Sequence, residues 1–355
     1  MKCALIHHLF YPEELIEREL PQNIIPCGFA LKDKEEVKSI AGQKILVECE
    51  SVMEFTSITG QRCIIKEWAI PLTPQAILGN QSQALDMTVA ACRNAREWGA
   101  RLVGLGLMLG KIGSRGQVVS NKVDVAVTNG DSYLIFNAVQ IMMQLVSMIE
   151  LNPMDLHIAV FGFPSTIGTY LTKYLLSLGI NVVLIARKSN FIISMVKRIA
   201  ESYSANLNLV SSFAEVPGNV KIVFATGSRD QFIHANQIDR PLAVIDVSVP
   251  RNVASGDVKP LLVVDAGVVL LPNHLTASGY IPKHALSCLV ELILLSFENR
   301  IEDFSIGRRL WLRNIHTIGS IARRHGFFPE VLHSFGKPLE KSSLIDFRYR
   351  LNKKT

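Results

Sequence analysis

The sequence predicts an α/β fold that contains a doubly wound parallel sheet. From residue 155 onward, apolar runs such as LHIAVFG (156–162) and INVVLIAR (180–187) alternate with stretches of helical periodicity. Near-continuous apolar strands separated by helices are typical of a parallel sheet that is covered on both faces. The 355 residues are 48% hydrophobic and 19% charged, so the chain can build two cores and is not a disordered protein.

The first part of the chain has a different pattern, which predicts a separate α/β domain. Short β-rich runs, KCALIHHLF (2–10) and GQRCIIKEWAI (60–70), precede a helical pattern over residues 75–99 and a glycine-rich loop. We expect a linking helix to begin at Asp131 or Ser132, which are suitable N-caps. The predicted regions are an N-terminal substrate domain (1–131), the linking helix (132–151), a Rossmann domain (152–280) and C-terminal helices that pack back with a basic tail (281–355).

Cysteine spacing and hydropathy restrict the class of protein. The six cysteines form no CxxC pair and no metal-ligand spacing, so we predict reduced thiols, no metal site and a cytoplasmic location. The longest uncharged apolar stretch, residues 133–149, contains Asn137 and two glutamines and is too short for a confident membrane span. No signal peptide is apparent.

The net charge of +6 is concentrated near the C-terminus. Residues 300–355 hold twelve Lys and Arg against five Asp and Glu, a balance of +7. Such a segment can meet an acidic protein or an anionic membrane surface, or it can be a solvated helical face. Its aromatic residues are not spaced like a nucleic-acid platform, so we expect no nucleic-acid partner.

The segment GFPSTIG (162–168) follows a predicted strand and opens a predicted helix, as a phosphate-binding turn does. Gly162 and Gly168 occupy the outer positions of the glycine fingerprint, while Ser165 replaces the central glycine and could donate its hydroxyl to a phosphate. Phe163 and Pro164 make the turn bulkier than usual. The context predicts a nucleotide site, with a purely structural turn as the alternative.

The end of the second strand predicts which dinucleotide is bound. An acidic residue at this position holds the ribose 2′-OH in NAD sites, whereas this chain has Arg187 and Lys188, 25 and 26 positions after Gly162. Cations there suit the 2′-phosphate, so we expect NADPH. The expected cofactor-binding residues are Gly162, Ser165, Thr166, Ile167, Gly168, Arg187, Lys188, Thr226 and Gly227.

Cys288 is the candidate nucleophile. The segment YIPKHALSCLVELILLSFENR places it in a predicted helix that starts near Pro282, where the N-terminus would lower the pKa of the thiol. His284 and Glu291 would lie one turn away on the same face, and either could act as a base. A small core residue is the alternative interpretation, since cysteine is commonly buried in apolar helices.

The segment beginning CLVELILLSFENR and ending RRHGFFPEVL resembles the C-terminal part of the cyanobacterial-type long-chain acyl-[acyl carrier protein] reductases. The patterns CxxExxLLxFE, FSxGR and IGxxxxRHGFxP fall at the spacing of that family, and ALIHHL, VTNGDSY, VPRNV and DAGVV extend the resemblance more weakly over the chain. The family loop reads GATGDIG where this chain has GFPSTIG.

This resemblance implies an aldehyde-forming enzyme that reduces a fatty acyl thioester with NADPH. Its acyl group would be carried by Cys288, its acidic carrier protein would dock on the basic segment, and another enzyme would consume the aldehyde. Thr128 and Asn129 of the VTNGDS turn are candidate substrate contacts. Two other interpretations stay open: a shikimate-dehydrogenase-like or glutamyl-tRNA-reductase-like NADP oxidoreductase with a polar substrate, and a non-catalytic NADPH-binding sensor.

Overall fold

The computed structural model describes two compact units. The described residues are 1–8, 47–227, 233–248, 251–254, 256, 258–272, 276–278, 284–329 and 331–353. Unit 1 comprises residues 1–136 and 268–330, and unit 2 comprises residues 137–267 and 331–355. The predicted C-terminal region, residues 281–355, is therefore divided between the two units.

Unit 1 is built on a six-stranded mixed sheet with the strand order β13-β2-β3-β1-β4-β5. Strands β3, β1, β4 and β5 run parallel, while β2 and β13 are antiparallel to their neighbours. The strands are β1 (Lys2–His8), β2 (Val47–Thr56), β3 (Arg62–Ile70), β4 (Leu102–Leu105), β5 (Ala126–Thr128) and β13 (Thr276–Ser278). The helices are α1 (Pro74–Gly79), α2 (Gln81–Glu97), α3 (Asp131–Met148, which continues into unit 2), α6 (Ser287–Phe297) and α7 (Leu312–Arg324). A two-stranded ribbon, β12 (Val268–Leu270) with β14 (His284–Leu286), precedes α6.

Unit 2 has a six-stranded parallel sheet with the order β8-β7-β6-β9-β10-β11. Numbered within the unit, this is 3-2-1-4-5-6, the strand order of a dinucleotide-binding Rossmann domain. Its elements are β6 (His157–Phe161), α4 (Thr166–Ser177), β7 (Asn181–Ile185), α5 (Asn190–Tyr203), β8 (Asn208–Val210), β9 (Ile222–Ala225), β10 (Leu242–Asp246) and β11 (Leu261–Asp265). A small ribbon, β15 (His333–Ser334) and β16 (Lys337–Pro338), and helix α8 (Lys341–Asn352) follow. The predicted α/β class with a doubly wound parallel sheet is confirmed.

Two predicted helices differ in their boundaries. The single helix expected over 75–99 is interrupted at Asn80, whose side chain accepts a hydrogen bond from the Gln83 amide (3.1 Å) and caps a new helix. The helix expected to start near Pro282 begins instead at Ser287, because residues 284–286 form β14. Pro282 itself lies outside the described residues.

Helix α6 is the central helix of unit 1. All eleven of its residues are buried, and it packs against β1, β3 and β4. Its one carboxylate, Glu291, is completely buried and points at the start of α3. Glu291 accepts hydrogen bonds from the backbone amides of Gly130 (3.1 Å) and Tyr133 (2.8 Å) and from the Thr128 hydroxyl. A buried carboxylate is therefore paired with amides that have no partner within their own helix.

Gly130 makes the close approach between this turn and α6. Its φ is +87°, and a Cβ at this position would lie 2.4 Å from the Cα and 2.6 Å from the backbone nitrogen of Cys288. Only glycine tolerates both the left-handed backbone and the proximity of another backbone. The turn before α3 thus fixes the position of Cys288.

Within the described residues, no helix combines the length and hydropathy needed to cross a membrane.

Gly130→Ala should lower the free energy of unfolding far more than Gly60→Ala. Gly60 also has a positive φ (+85°), but nothing lies within 4 Å of its added Cβ, so its variant should lose only about 1 kcal/mol. Steric overlap at Gly130 should add roughly 1–3 kcal/mol. Urea unfolding of both variants measures this difference. Equal losses would show that the approach of Gly130 to α6 is not as close as described.

Burial raises the pKa of Glu291 to about 7, despite the hydrogen bonds that it accepts. The folded protein then holds this proton more tightly than the unfolded chain, so ionisation of Glu291 reduces stability as the pH rises from about 4.5 to about 7. Wild type should lose up to roughly 3 kcal/mol relative to Glu291→Gln over this range. Urea unfolding of both proteins at a series of pH values tests this. Identical pH dependence would contradict it.

Candidate functional site

The first βα turn of unit 2 opens into a cavity of about 830 Å³. This cavity lies at the carboxyl ends of β6 and β7, next to the position where the strand order reverses, which is where Rossmann domains bind nucleotides. Of the predicted cofactor residues, Gly162, Ser165, Arg187, Lys188 and Gly227 line it. Phe161, Phe163, Pro164 and Asn252, among others, complete its wall.

The geometry at Gly162 fits a phosphate-binding turn. Its φ is +98°, and an added Cβ would lie 2.5 Å from the Gly227 nitrogen and 2.6 Å from the Thr226 carbonyl carbon. Gly168, in the first turn of α4, has similarly little space, with the Thr226 hydroxyl oxygen 2.7 Å from an added Cβ. Both glycines therefore let β6, α4 and the turn after β9 approach closely, as the fingerprint requires.

Ser165 acts as the N-cap of α4. Its hydroxyl oxygen accepts from the Gly168 amide (3.0 Å) while its hydroxyl group lies 3.3 Å from the Thr226 carbonyl as donor. This hydroxyl is thus directed at the protein's own backbone, whereas the sequence suggested that it could donate to a phosphate. The amides of Thr166 and Ile167 open the same helix and are half-buried there. Helix N-termini with such amides are favourable positions for phosphate groups.

Arg187 and Lys188 lie at the end of β7 and both side chains are exposed. Lys188 is 3.5 Å from Glu215, an exposed pair that contributes little to stability. Arg187 lines the cavity and forms no ion pair with a residue that the structure describes. Its guanidinium is therefore available to an anionic group in the cavity.

A polar network after β10 supports the turn at Gly227, and the sequence did not predict it. The Asn252 side-chain oxygen accepts from the Gly227 amide (2.7 Å) and from the Ser248 hydroxyl (2.9 Å). The buried Asp246 in turn accepts from the Asn252 amide (2.7 Å), and burial raises its pKa to about 7. The sequence signal was the DVSVPRN segment, in which polar side chains directly follow a buried strand.

Cys288 is the second residue of α6 and is buried. Burial raises the pKa of its thiol to about 11, although the backbone amides of Leu107 and Leu289 lower it in part. The expected decrease in pKa at the helix N-terminus is wrong, because desolvation outweighs the helix amides. His284 does not lie one helical turn before Cys288, since it belongs to β14. Glu291 does not point at the thiol as a base, since it holds the start of α3.

Backbone groups surround the Cys288 thiol. A Cβ on Gly106 would lie 3.8 Å from Sγ, and the next residue, Leu107, directs its amide at the sulfur. Leu107 has a φ of +56°, a backbone conformation that is strained for a leucine. Amides that are directed at a sulfur stabilise its thiolate form, although burial outweighs them here.

Thr128 and Asn129, the predicted substrate contacts, are both buried. The Thr128 hydroxyl donates to Glu291, and the Asn129 amide group donates to the Arg115 carbonyl (3.3 Å). Asp131, which follows in the same turn, forms an ion pair with Arg115, and burial raises the pKa of the Asp131 carboxyl group. These side chains therefore hold the turn together rather than present free polar groups.

His7 and His8 at the carboxyl end of β1 belong to the same region, which sequence reasoning missed. The Met108 amide donates to His8 Nε2 (3.4 Å), and a Cβ on Gly106 would lie 3.3 Å from His7 Cβ. The same turn, residues 106–108, thus touches both histidines and Cys288. Burial lowers the pKa of His7 to about 4, so its ring is neutral at physiological pH. The missed signal was the position of these histidines directly after an apolar strand.

The basic segment 300–355 is divided between the two units at residue 330. Its charges are therefore divided between two compact bodies. The docking of an acidic carrier was expected on the segment as a whole.

Comparison with known proteins identifies one informative relative in sequence. No protein-family profile matches the chain. The chain is 29% identical over 315 residues to aminotransferase PigE of Serratia sp. (strain ATCC 39006). This alignment covers 85% of the chain but only 37% of the relative, so the chain spans little more than a third of that protein's length.

Three solved structures that match the chain do so at very low sequence identity. A shikimate dehydrogenase in complex with NADP+ is 11% identical to this chain. The match covers 99% of this chain and 96% of the dehydrogenase chain, with a TM-score of 0.34. L-tryptophan dehydrogenase from Nostoc punctiforme is 10% identical, with coverages of 99% and 87% and a TM-score of 0.37. Malic enzyme of Entamoeba histolytica is 8% identical, with coverages of 81% and 72% and a TM-score of 0.39.

These findings overturn the family suggested by the C-terminal motifs. The relative in sequence is described as an aminotransferase and not as an acyl-[acyl carrier protein] reductase. In the CxxE segment, Glu291 holds the turn before α3, Cys288 lies against Gly130 of that turn, and the two apolar residues between them are buried.

Proposed function

We propose that this chain is an NADP(H)-dependent oxidoreductase whose unit 2 binds the dinucleotide. The observation that carries the proposal is the cavity at the first βα turn, where Gly162 permits close backbone approach and Arg187 and Lys188 follow the second strand. NADPH supplies a hydride to a carbonyl carbon or, as NADP+, removes one from an alcohol carbon. Unit 2 binds and orients that cofactor.

The substrate region is proposed in unit 1, at the carboxyl ends of its parallel strands. His8 ends β1, Gly106 follows β4 and Gly130 follows β5, so these three strand ends meet at one edge of the sheet. Ligands of α/β proteins bind outside such ends. The buried histidines and backbone amides favour a small polar substrate with an oxygen atom to be polarised, as in the shikimate-dehydrogenase-like interpretation.

A second candidate function is a covalent reduction at Cys288, and the amides around its sulfur favour it. In this reaction, Cys288 sulfur attacks the carbonyl of an acyl thioester, a new carbon–sulfur bond forms and the substrate's thiol leaves with a proton. NADPH bound in unit 2 would supply the hydride for the Cys288 thioester. The carbon–sulfur bond would then break, leaving an aldehyde and the Cys288 thiolate, which takes a proton from solvent. The Leu107 and Leu289 amides, which are directed at the sulfur, would stabilise the attacking thiolate.

Arg187→Ala should weaken NADPH binding by about tenfold and leave NADH binding nearly unchanged, because only NADPH carries the 2′-phosphate. Cofactor fluorescence titration measures both affinities. Arg198→Ala is the matched control, since Arg198 is an exposed arginine on α5 that does not line the cavity. If both cofactors lose affinity equally, Arg187 does not recognise the 2′-phosphate.

Cys288→Ala separates the two candidate functions. If Cys288 carries an acyl group, incubation with an acyl thioester without NADPH should raise the mass of the wild type by one acyl group. The rate should rise with pH across the neutral range, because the thiol pKa of about 11 keeps the thiolate scarce. Cys288→Ala should form no adduct and still bind NADPH, whereas Cys92→Ala, a buried control in α2, should react normally. Turnover by Cys288→Ala would leave the non-covalent reduction as the function.

A further inference from the structure

Unit 1 contains a second cavity, of about 520 Å³, whose basic lining has no role in the proposed function. Two chain segments wall it: residues 114–117 on one side, and the loop 303–311 with the first turn of α7 on the other. A backbone hydrogen bond from the Gly307 amide to the Arg115 carbonyl (2.9 Å) joins the two walls. The cavity is thus a built feature of the fold.

Three exposed arginines are gathered at this cavity. Arg308 and Arg309 line it. Arg313 lies in the first turn of α7, over the ring of the lining residue Trp311. None of the three forms an ion pair with a residue that the structure describes, although exposed arginines elsewhere in the chain, such as Arg96 and Arg324, do. Like charges that gather without counter-ions repel one another, so their clustering favours an anionic ligand.

Trp311 holds two of these guanidinium groups in place. The Arg309 guanidinium carbon lies 4.6 Å from the indole centroid and that of Arg313 lies 5.3 Å from it. Trp311 is 48% exposed, so the two guanidinium groups that lie over its ring can be reached from solvent. A stacked guanidinium keeps its N–H edge available, and that edge matches the oxygens of a phosphate.

The remaining lining groups are consistent with an anion. Ser114, Gln117 and Asn314 can donate hydrogen bonds, and the first amides of α7 lack a side-chain cap. Among the described lining residues, the one carboxylate is Asp303, which already accepts from the Val127 amide (2.9 Å) and from the Ser120 hydroxyl. Its charge is therefore partly compensated by the protein.

Backbone strain is concentrated in the same walls. In one wall, Ser114 and Arg115 have φ values of +54° and +60°. In the other wall, Ser305 has a φ of +55°. Non-glycine residues in the left-handed region cost free energy and cluster at ligand sites, where the surrounding structure enforces them. This is an observation independent of the charges.

We propose that this cavity binds an organic phosphate, with the phosphate group on Arg309 and Arg313 and the rest of the ligand in the cavity. The volume decides between an organic phosphate and free phosphate, because 520 Å³ is within the range of small-molecule sites and far exceeds what one inorganic anion fills. The site lies within unit 1, and none of its described lining residues lines the dinucleotide cavity of unit 2.

Calorimetric titration of the full chain with glycerol 3-phosphate and with inorganic phosphate tests this proposal. The organic phosphate should bind at least tenfold more tightly than inorganic phosphate. The double variant Arg309→Gln/Arg313→Gln should lose at least tenfold in affinity, whereas Arg93→Gln, an exposed arginine on α2, should bind as wild type does. Trp311 is the local reporter: its fluorescence should respond in the wild type, and Trp311→Phe should lose the response.

Three results would overturn the proposal: no measurable binding at millimolar ligand, equal binding by the double variant, or equal affinity for the two phosphates. NADPH titration of the double variant keeps this result distinct from the function of unit 2. Unchanged NADPH affinity together with lost phosphate binding supports two separate sites. Loss of both would show that the phosphate probe had been reporting on the dinucleotide site.

Discussion

Unit 1 depends on one buried carboxylate. Glu291 is the one charged residue of a fully buried helix, and it accepts hydrogen bonds from the Gly130 and Tyr133 amides and from Thr128. A charged group without partners would be very costly at this depth, and so would the unpaired amides at the start of α3. Each satisfies the other. The contact therefore fixes α6, the turn after β5 and the start of α3 as one arrangement, and with them the position of Cys288.

In unit 2, the equivalent constraint is steric. Gly162 and Gly168 leave no room for a side chain, because the turn after β9 lies directly against the first βα turn. Asn252 holds the turn after β9 by accepting a hydrogen bond from the Gly227 amide. Asp246 in the same way accepts one from the Asn252 amide. The rigid floor of the dinucleotide cavity is thus made of backbone and of a polar network beneath it. The side chains that contribute charge, Arg187 and Lys188, stand at its exposed edge.

Sequence periodicity predicted the architecture of unit 2 well, because parallel strands buried on both faces leave a clear apolar signal. It also placed Gly162, Arg187 and Lys188 at one cavity, since strand ends of a parallel sheet meet at one edge. It failed where long-range packing decides. The thiol of Cys288 was expected to be acidic from its place near a helix N-terminus, yet burial under Gly130 and Gly106 raises its pKa. Sequence periodicity also missed His7 and His8, because their neighbours are residues 106–108, about a hundred positions away.

The division of the chain has a consequence for biosynthesis. Unit 1 is discontinuous: residues 1–136 come first, but the helix that covers its sheet and carries Glu291 appears only after the whole parallel sheet of unit 2 has been translated. Until then, strands β1, β3 and β4 lack the apolar face against which they pack, and the amides before α3 lack their acceptor. Unit 2 has all six of its strands once residue 265 has been made. Domains generally fold as they emerge from the ribosome. The nascent chain would therefore complete the parallel sheet of unit 2 before α6 of unit 1 has been made. During synthesis, the exposed β-edges of unit 1 would be the part of the chain most in need of a chaperone.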